Sequence, residues 1–226
     1  MQIVIASSKK WFEIDEAISL TCDVSVVDKP EQLNLEFLKQ ANPDFVFFPH
    51  WNWSVPEEIF SRYTCILFHA SPLPFGRGGS PIQNLILRGI TETPVYAVKM
   101  VKEIDAGPLY NKRDLRLDGP LHEIFDRLNL AVNSMIADLI KSLPEPKPQK
   151  GKVVNFERLS KADNELSEGL SLTDLYDRIR MVDEPSYPNA FMEFGELAIE
   201  FFNVSKSDGK LICEVLIFDK LDEQKK

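Results

Sequence analysis

A chain of 226 residues with 44% apolar and 27% charged residues has the composition of an ordinary globular protein, long enough for one full core and a smaller appendage. Its formal charge of −9 argues against a broad phosphate-tracking surface, so nucleic acid is not an expected partner. Cys22, Cys65 and Cys213 are odd in number and far apart, which points to free thiols. The short apolar start M-Q-I-V-I-A-S-S-K-K has no basic region ahead of it, and no run of about 18 apolar residues follows, so a cytoplasmic protein without a membrane span is expected.

Residues 2–6 read as a strand, and Trp11, Ile14, Ala17 and Ile18 then recur at helical spacing. Residues 23–27 are rich in β-branched side chains, and Leu33, Leu35, Phe37 and Leu38 fall in a short helix after Pro30. A third buried run spans 44–49, a short helix 56–63 has Pro56 in its first turn, and 65–68 is a fourth strand. Continuous apolar strands alternating with helices predict an α/β fold with a mostly parallel sheet covered on both faces. No glycine-rich dinucleotide fingerprint follows the first strand, which counts against a nicotinamide or flavin enzyme.

A Pro/Gly loop occupies 71–80. Ser80 is the N-cap candidate of a helix with Pro81 in its first turn and Ile82, Leu85 and Ile86 on its apolar face, ended by Arg88 and Gly89. A strand at 95–101 pairs with one at 109–117 across the turn at 106–108. The longest helix, 121–143, closes a first domain with an apolar stripe that includes Ile124, Leu128, Val132 and Met135.

The segment P-E-P-K-P-Q-K then reads as a stiff linker, dividing the chain into a domain at 1–143, a linker at 144–154 and a small α+β module at 155–226. In that module, Ser171 and Asp174 form a capping-box pattern at the start of a helix carrying Leu172, Leu175, Ile179 and Val182. Strands at 190–194 and 197–204 flank Gly195-Glu196 as a tight hairpin, and 211–218 is a third strand. So little strand cannot bury much alone, so the module is expected to pack on the first domain or on a second subunit. Residues 222–226 read as a solvated tail.

The candidate chemistry lies between Cys65 and Tyr110. His69 sits where a buried strand becomes a loop, at the carboxyl edge where open parallel sheets bind ligands, and reads either as a satisfied strand-end histidine or as a proton carrier. Asp105 follows the next strand and is either a turn residue or the carboxylate that fixes the imidazole for general-base work. Arg77, inside a loop with Gly76, Gly78 and Gly79, either binds an anionic group or salt-bridges on the surface. His50-Trp51-Asn52-Trp53 brings two tryptophans and an amide to the same rim, for stacking on a flat heterocycle or for packing on a neighbouring loop. No metal site is expected.

Taken in order, His69, Ser71-Pro72-Leu73-Pro74, Arg77-Gly78, Pro81 and Asp105-Ala106-Gly107, with 36 residues from His69 to Asp105, resemble the pattern of the formyltransferases that use N10-formyltetrahydrofolate. The family pattern is Asn-x-His, Ser-Leu-Leu-Pro-x-x-Arg-Gly-x-x-Pro and Asp-x-Gly, and the similarity covers about residues 1–143. Ile179-Arg180 and Tyr187-Pro188-Asn189-Ala190 resemble the opening of the family's second domain. The resemblance implies a Rossmann-like folate domain (the formyltransferase fold) with a small C-terminal helix plus β-hairpin module. It implies N10-formyltetrahydrofolate as co-substrate, and His69 and Asp105 as the catalytic pair. Folate would lie near Leu73, Ile104 and Trp51 or Trp53, with Arg77 and Gly78 facing the acceptor.

One position departs from the pattern. The family's oxyanion-steadying asparagine corresponds to Leu67, which offers no donor. Asn52 is the substitute favoured here, with a backbone amide or His50 as alternatives. Among acceptors, the short acidic C-terminal module favours the primary amine of a nucleotide-linked amino sugar, acted on by a homodimer. A methionyl-tRNA formyltransferase-like enzyme and a non-catalytic folate-binding sensor are the other readings.

Overall fold

Alternation sorts the apolar runs to two faces of one sheet. The protein's structure, a computed structural model, describes residues 1–220, and the tail expected at 222–226 lies outside them. The first half runs β1 (Gln2–Ser7), α1 (Glu16–Ser19), β2 (Asp23–Val27), α2 (Leu35–Ala41), β3 (Phe45–His50), α3 (Glu57–Phe60) and β4 (Cys65–Ala70). It continues through β5 (Phe75–Gly78), α4 (Pro81–Ile86), β6 (Glu92–Lys99), β7 (Leu109–Arg116) and α5 (Leu121–Lys141). The main sheet has six strands in the order β2-β1-β3-β4-β6-β7. Pairing is parallel from β2 to β4 and antiparallel through β6 and β7. This is the expected α/β architecture with a mostly parallel sheet.

Ile3 and Ile5 of β1 join Phe47 and Ile66 in a core under α4 and α5. Val4 and Ala6 join Val46, Phe48 and Cys65 in a second core under α2 and α3. The inner strands β1, β3 and β4 are therefore buried on both sides, which is why their sequences read as continuous apolar runs. Among the described residues no helix is long and apolar enough to cross a membrane.

The helix expected around Trp11 is shorter than its periodicity suggests. Asp15 caps α1 by accepting from the Ala17 amide at 2.8 Å, and the Glu13 and Asp15 amides are held by the side chains of Asn129 and Asn133 from α5. The chain ahead of Asp15 is thus fixed outside any helix, and Trp11 stacks on Phe125 at 5.3 Å. Ser80 also departs from expectation. It stands at the N-cap of α4 with φ 48° and makes no capping bond, because its hydroxyl accepts from the Leu159 amide at 3.1 Å.

The segment expected as a stiff linker is laid along the first domain. Lys147 and Leu109 exchange backbone hydrogen bonds at 2.8 Å, and β8 (Val154–Phe156) pairs in parallel with β5. A short 3-10 turn (Lys161–Asn164), α6 (Leu172–Arg180), β9 (Ala190–Phe194), β10 (Leu197–Ser207) and β11 (Lys210–Asp219) complete the described chain. Ser171 and Asp174 cap α6 reciprocally, and Phe194 and Leu197 pair across the two-residue hairpin. The expected hairpin module is a three-stranded antiparallel sheet. It packs on the first domain. Ile179, Met181 and Val182 enter the core beside α5, and the buried Arg180 donates to the carbonyls of Leu117 and Gly119 at 2.7 and 2.8 Å.

Candidate active site

His69, near the end of β4, meets Asp105 from the loop between β6 and β7, although β4 and β6 run antiparallel. The His69 Nδ1 lies 3.4 Å from Asp105 Oδ2, with His69 buried and Asp105 partly buried. The opposite ring nitrogen, Nε2, lies 2.7 Å from the carbonyl oxygen of Gly76. Both ring nitrogens therefore face acceptors: a neutral ring satisfies one with an N–H, and an imidazolium satisfies both. The arrangement suits a group that picks up a proton and is then held by its carboxylate.

Asp105 is positioned from three sides. Its Oδ2 accepts from the Gly78 amide at 2.9 Å. Its backbone carbonyl accepts from Gln149 Nε2 at 2.6 Å, and the same amide donates to the Gly107 carbonyl at 2.9 Å. Asp105 itself has φ 52°, a left-handed conformation that a non-glycine residue adopts only when its surroundings hold it there. Gly107 makes the turn possible, because a Cβ there would stand 1.7 Å from the Lys99 carbonyl oxygen. Gly76 has φ 85°, and a Cβ on it would meet Phe156 at 2.7 Å. These two contacts are the physical content of the glycines that flank the pair.

A cleft of ≈ 770 Å³ opens at this rim, a volume that suits a small-molecule site. His69, Gly78, Asp105, Leu67, Asn52, Trp51, Trp53 and Ile104 all line it. The two tryptophans meet edge to face at 4.9 Å, and Ile104 is 74% exposed on the rim. The Asn52 Oδ1 accepts from both terminal nitrogens of Arg158 at 3.4 Å, and its Nδ2 donor has no partner among the described residues.

Two expected placements change. Leu73 is buried in the protein and does not line the cleft. Arg77 does not line the cleft either. Its guanidinium donates to Gln149 Oε1 at 3.1 and 2.8 Å, so the ion expected to face the acceptor instead fixes the amide that holds Asp105. Gly78 acts through its backbone amide on the same carboxylate.

The sequence reading missed Gln149, the Gly76 carbonyl and the cations at the other end of the cleft. Gln149 lies in a proline-rich stretch whose composition signals only a linker. Lys9 and Arg158 line the cleft near His50. Burial, with Lys9 and Arg158 alongside, pushes the His50 imidazole down to about 4, so the ring is neutral at pH 7. The hydroxyl of Ser8 lies 3.0 Å from its Nδ1.

A family model described as the C-terminal domain of methionyl-tRNA formyltransferase matches residues 161–218. A solved methionyl-tRNA formyltransferase from Clostridium thermocellum is 39% identical with a TM-score of 0.93, over 97% of this chain and 99% of that one. The curated methionyl-tRNA formyltransferase of Thermotoga maritima is 29% identical over 80% of this chain and 61% of its own length. The one from Sulfurihydrogenibium sp. is 26% identical over 77% of this chain and 58% of its own length, so the chain spans about 60% of the curated relatives it matches. A sugar N-formyltransferase from a Shewanella species has a TM-score of 0.63 over 96% of this chain and 97% of that one, but at 18% identity it shares the fold alone.

These likenesses overturn the expectation of an amino-sugar acceptor, and with it the expected nucleotide-sugar partner and the exclusion of nucleic acid. The error has a physical source. A net charge of −9 is a sum over the whole chain and says nothing of the sign inside one cleft. With 39% identity over nearly the full length of a solved relative, the chain belongs to the formyltransferase family that uses N10-formyltetrahydrofolate.

Proposed function

We propose that the protein transfers a formyl group from N10-formyltetrahydrofolate to the α-amine of methionyl-tRNA. The near full-length likeness to the Clostridium thermocellum methionyl-tRNA formyltransferase carries this reading. The co-substrate fits the residues present. Trp51, Trp53, Leu67, Met100 and Ile104 give the cleft an apolar and aromatic wall for a flat heterocycle. When bound, the folate supplies the formyl group.

His69 takes the proton shed by the attacking amine, and Asp105 orients the ring and balances the charge it gains. Asn52, with Oδ1 engaged by Arg158 and Nδ2 unpartnered, is the donor for the oxygen that gains charge at the reacting carbonyl, in place of the asparagine that Leu67 replaces. The reaction takes place in the cytoplasm, where the free thiols of Cys22, Cys65 and Cys213 stay reduced.

The test is incubation with N10-formyltetrahydrofolate and methionyl-tRNA. Formyl-methionyl-tRNA is the expected product. Absence of that product, with the folate shown to bind, would refute the acceptor.

A further inference from the structure

Two of the bonds that hold the His69–Asp105 pair come from one short strand, β5. The Gly76 carbonyl lies 2.7 Å from His69 Nε2, and the Gly78 amide donates to Asp105 Oδ2 at 2.9 Å. Among the described residues β5 pairs only with β8, in a two-stranded sheet apart from the main one. The placement of both bonds therefore depends on a strand that follows the first domain. Within β8 the buried residue is Phe156. Its carbonyl accepts from the Gly79 amide at 3.1 Å, and a Cβ on Gly78 would overlap the same carbonyl. Its ring lies against Gly76, where a Cβ would stand 2.7 Å from Cε2 and 3.1 Å from Cζ.

The ring is held in turn. Phe75 meets it edge to face at 5.3 Å, and the Arg88 guanidinium sits 4.4 Å from its centre. Arg88 donates to the Asn84 carbonyl and Oδ1 at 2.6 and 2.9 Å. Asn84 Nδ2 donates to the carbonyls of Gly79, Ser80 and Glu157 at 3.2, 3.1 and 3.0 Å, which ties the chain after β5 to the chain after β8. Gly76 is thus backed by a ring that has little room to move.

A carbonyl oxygen can only accept, so the Nε2 that faces it at 2.7 Å carries a hydrogen whether the ring is neutral or charged. Nδ1, 3.4 Å from Asp105 Oδ2, is then the nitrogen that gains and loses the proton. We propose that Phe156 is a positioning residue: by backing Gly76 it keeps the carbonyl on Nε2 and holds His69 in the tautomer whose Nδ1 is free. In the transfer an N–H bond of the attacking amine breaks as the Nδ1–H bond forms, and the Asp105 carboxylate meets the charge on the ring. That use of the tautomer rests on the reading given under Proposed function; the tautomer itself does not.

Phe156→Leu keeps most of the side-chain volume but lacks Cε2 and Cζ, the atoms that touch Gly76. The chain has three histidines, so ¹H–¹⁵N spectra of the imidazoles resolve His69, assigned by its loss in His69→Asn. In the parent the neutral ring should carry its hydrogen on Nε2. In Phe156→Leu a share of the ring should move to the Nδ1–H tautomer, and kcat with methionyl-tRNA should fall roughly tenfold with the folate KM within about twofold of the parent. Phe156→Met, whose longer chain reaches Gly76 again, should recover most of both. A parent ring with its hydrogen on Nδ1, or an unchanged tautomer in Phe156→Leu, overturns the proposal whatever happens to activity. A shifted tautomer with undiminished kcat overturns the positioning role. If the parent forms no formyl-methionyl-tRNA, the acceptor reading fails, and the spectra still decide whether Phe156 sets the state of His69.

Discussion

The two ends of the cleft differ in how far the protein satisfies itself. At the His69–Asp105 end, each ring nitrogen and the Asp105 Oδ2 already face a partner within the chain, and Gln149 ties down the backbone beneath. At the Lys9–Arg158 end, among the described residues, two cations stand without a carboxylate in ion-pair distance and one amide donor of Asn52 is unused. The first end is organised for chemistry before anything binds, so little reorganisation is needed as charge develops. The second leaves Asn52 and Arg158 exposed to the cleft. Removing a group at the first end should therefore cost turnover, as should removing the Asn52 amide, the oxyanion donor of the proposed mechanism.

The largest effect is expected for Asp105→Asn. It removes the carboxylate from His69 and weakens the acceptor of the Gly78 amide, and kcat should fall by about 10²–10⁴. A loss in KM alone would break the comparison. Next comes Gln149→Ala. Without the donors to the Asp105 and Gly107 carbonyls, the left-handed turn is free to relax, and kcat should drop roughly tenfold to a hundredfold with little change in KM. Gln149→Glu keeps the acceptor for Arg77 but removes both donors, so it should behave like the alanine variant; if it behaves like the parent, the Arg77 contact is what counts.

A smaller effect concerns pH. The folded His50 is held at about 4 by burial and by the two cations, below the ordinary histidine value of 6.5. Below 6.5 the unfolded chain binds a proton that the folded chain refuses, so stability is complete above that pH and falls as pH drops toward 4. The loss is about 3 kcal/mol by linkage, read as urea midpoints across this range, and His50→Gln should flatten the curve. An unchanged slope in that variant would assign the acid loss to other groups. The smallest effect is chemical. Cys65 is buried and its thiol is pushed up to about 12, so a thiol reagent at pH 8 should leave it unmodified in the folded protein and label it only after unfolding.

The legible parts of the molecule were those written in local pattern. Strands buried on both faces read as unbroken apolar runs, and the capping box at Ser171 and Asp174 lies within four residues. His69 was legible because it stands at the end of an apolar strand, but β4 and β6 are antiparallel, so Asp105 reaches it only through the loop that follows β6 at Lys99. What was not legible depended on partners far along the chain. Asn129 and Asn133 decide where α1 begins from more than a hundred residues away. Gln149 looks like linker composition until Arg77 and Asp105 are seen around it. Arg77 itself, read as an anion binder from its glycine-rich loop, was misplaced because nothing in the loop announces the amide it meets. The acceptor was misread because the short C-terminal module and the acidic charge were taken to disfavour RNA, and summed charge averages away the cations of a single cleft.

Single-turnover transfer to methionyl-tRNA at saturating folate, compared between the parent protein and His69→Asn, tests the proton-handling pair most directly. The predicted result is a rate constant lower by about 10²–10⁴ with both binding constants within about twofold of the parent. An undiminished rate constant would contradict the role of His69 and Asp105 in moving the proton.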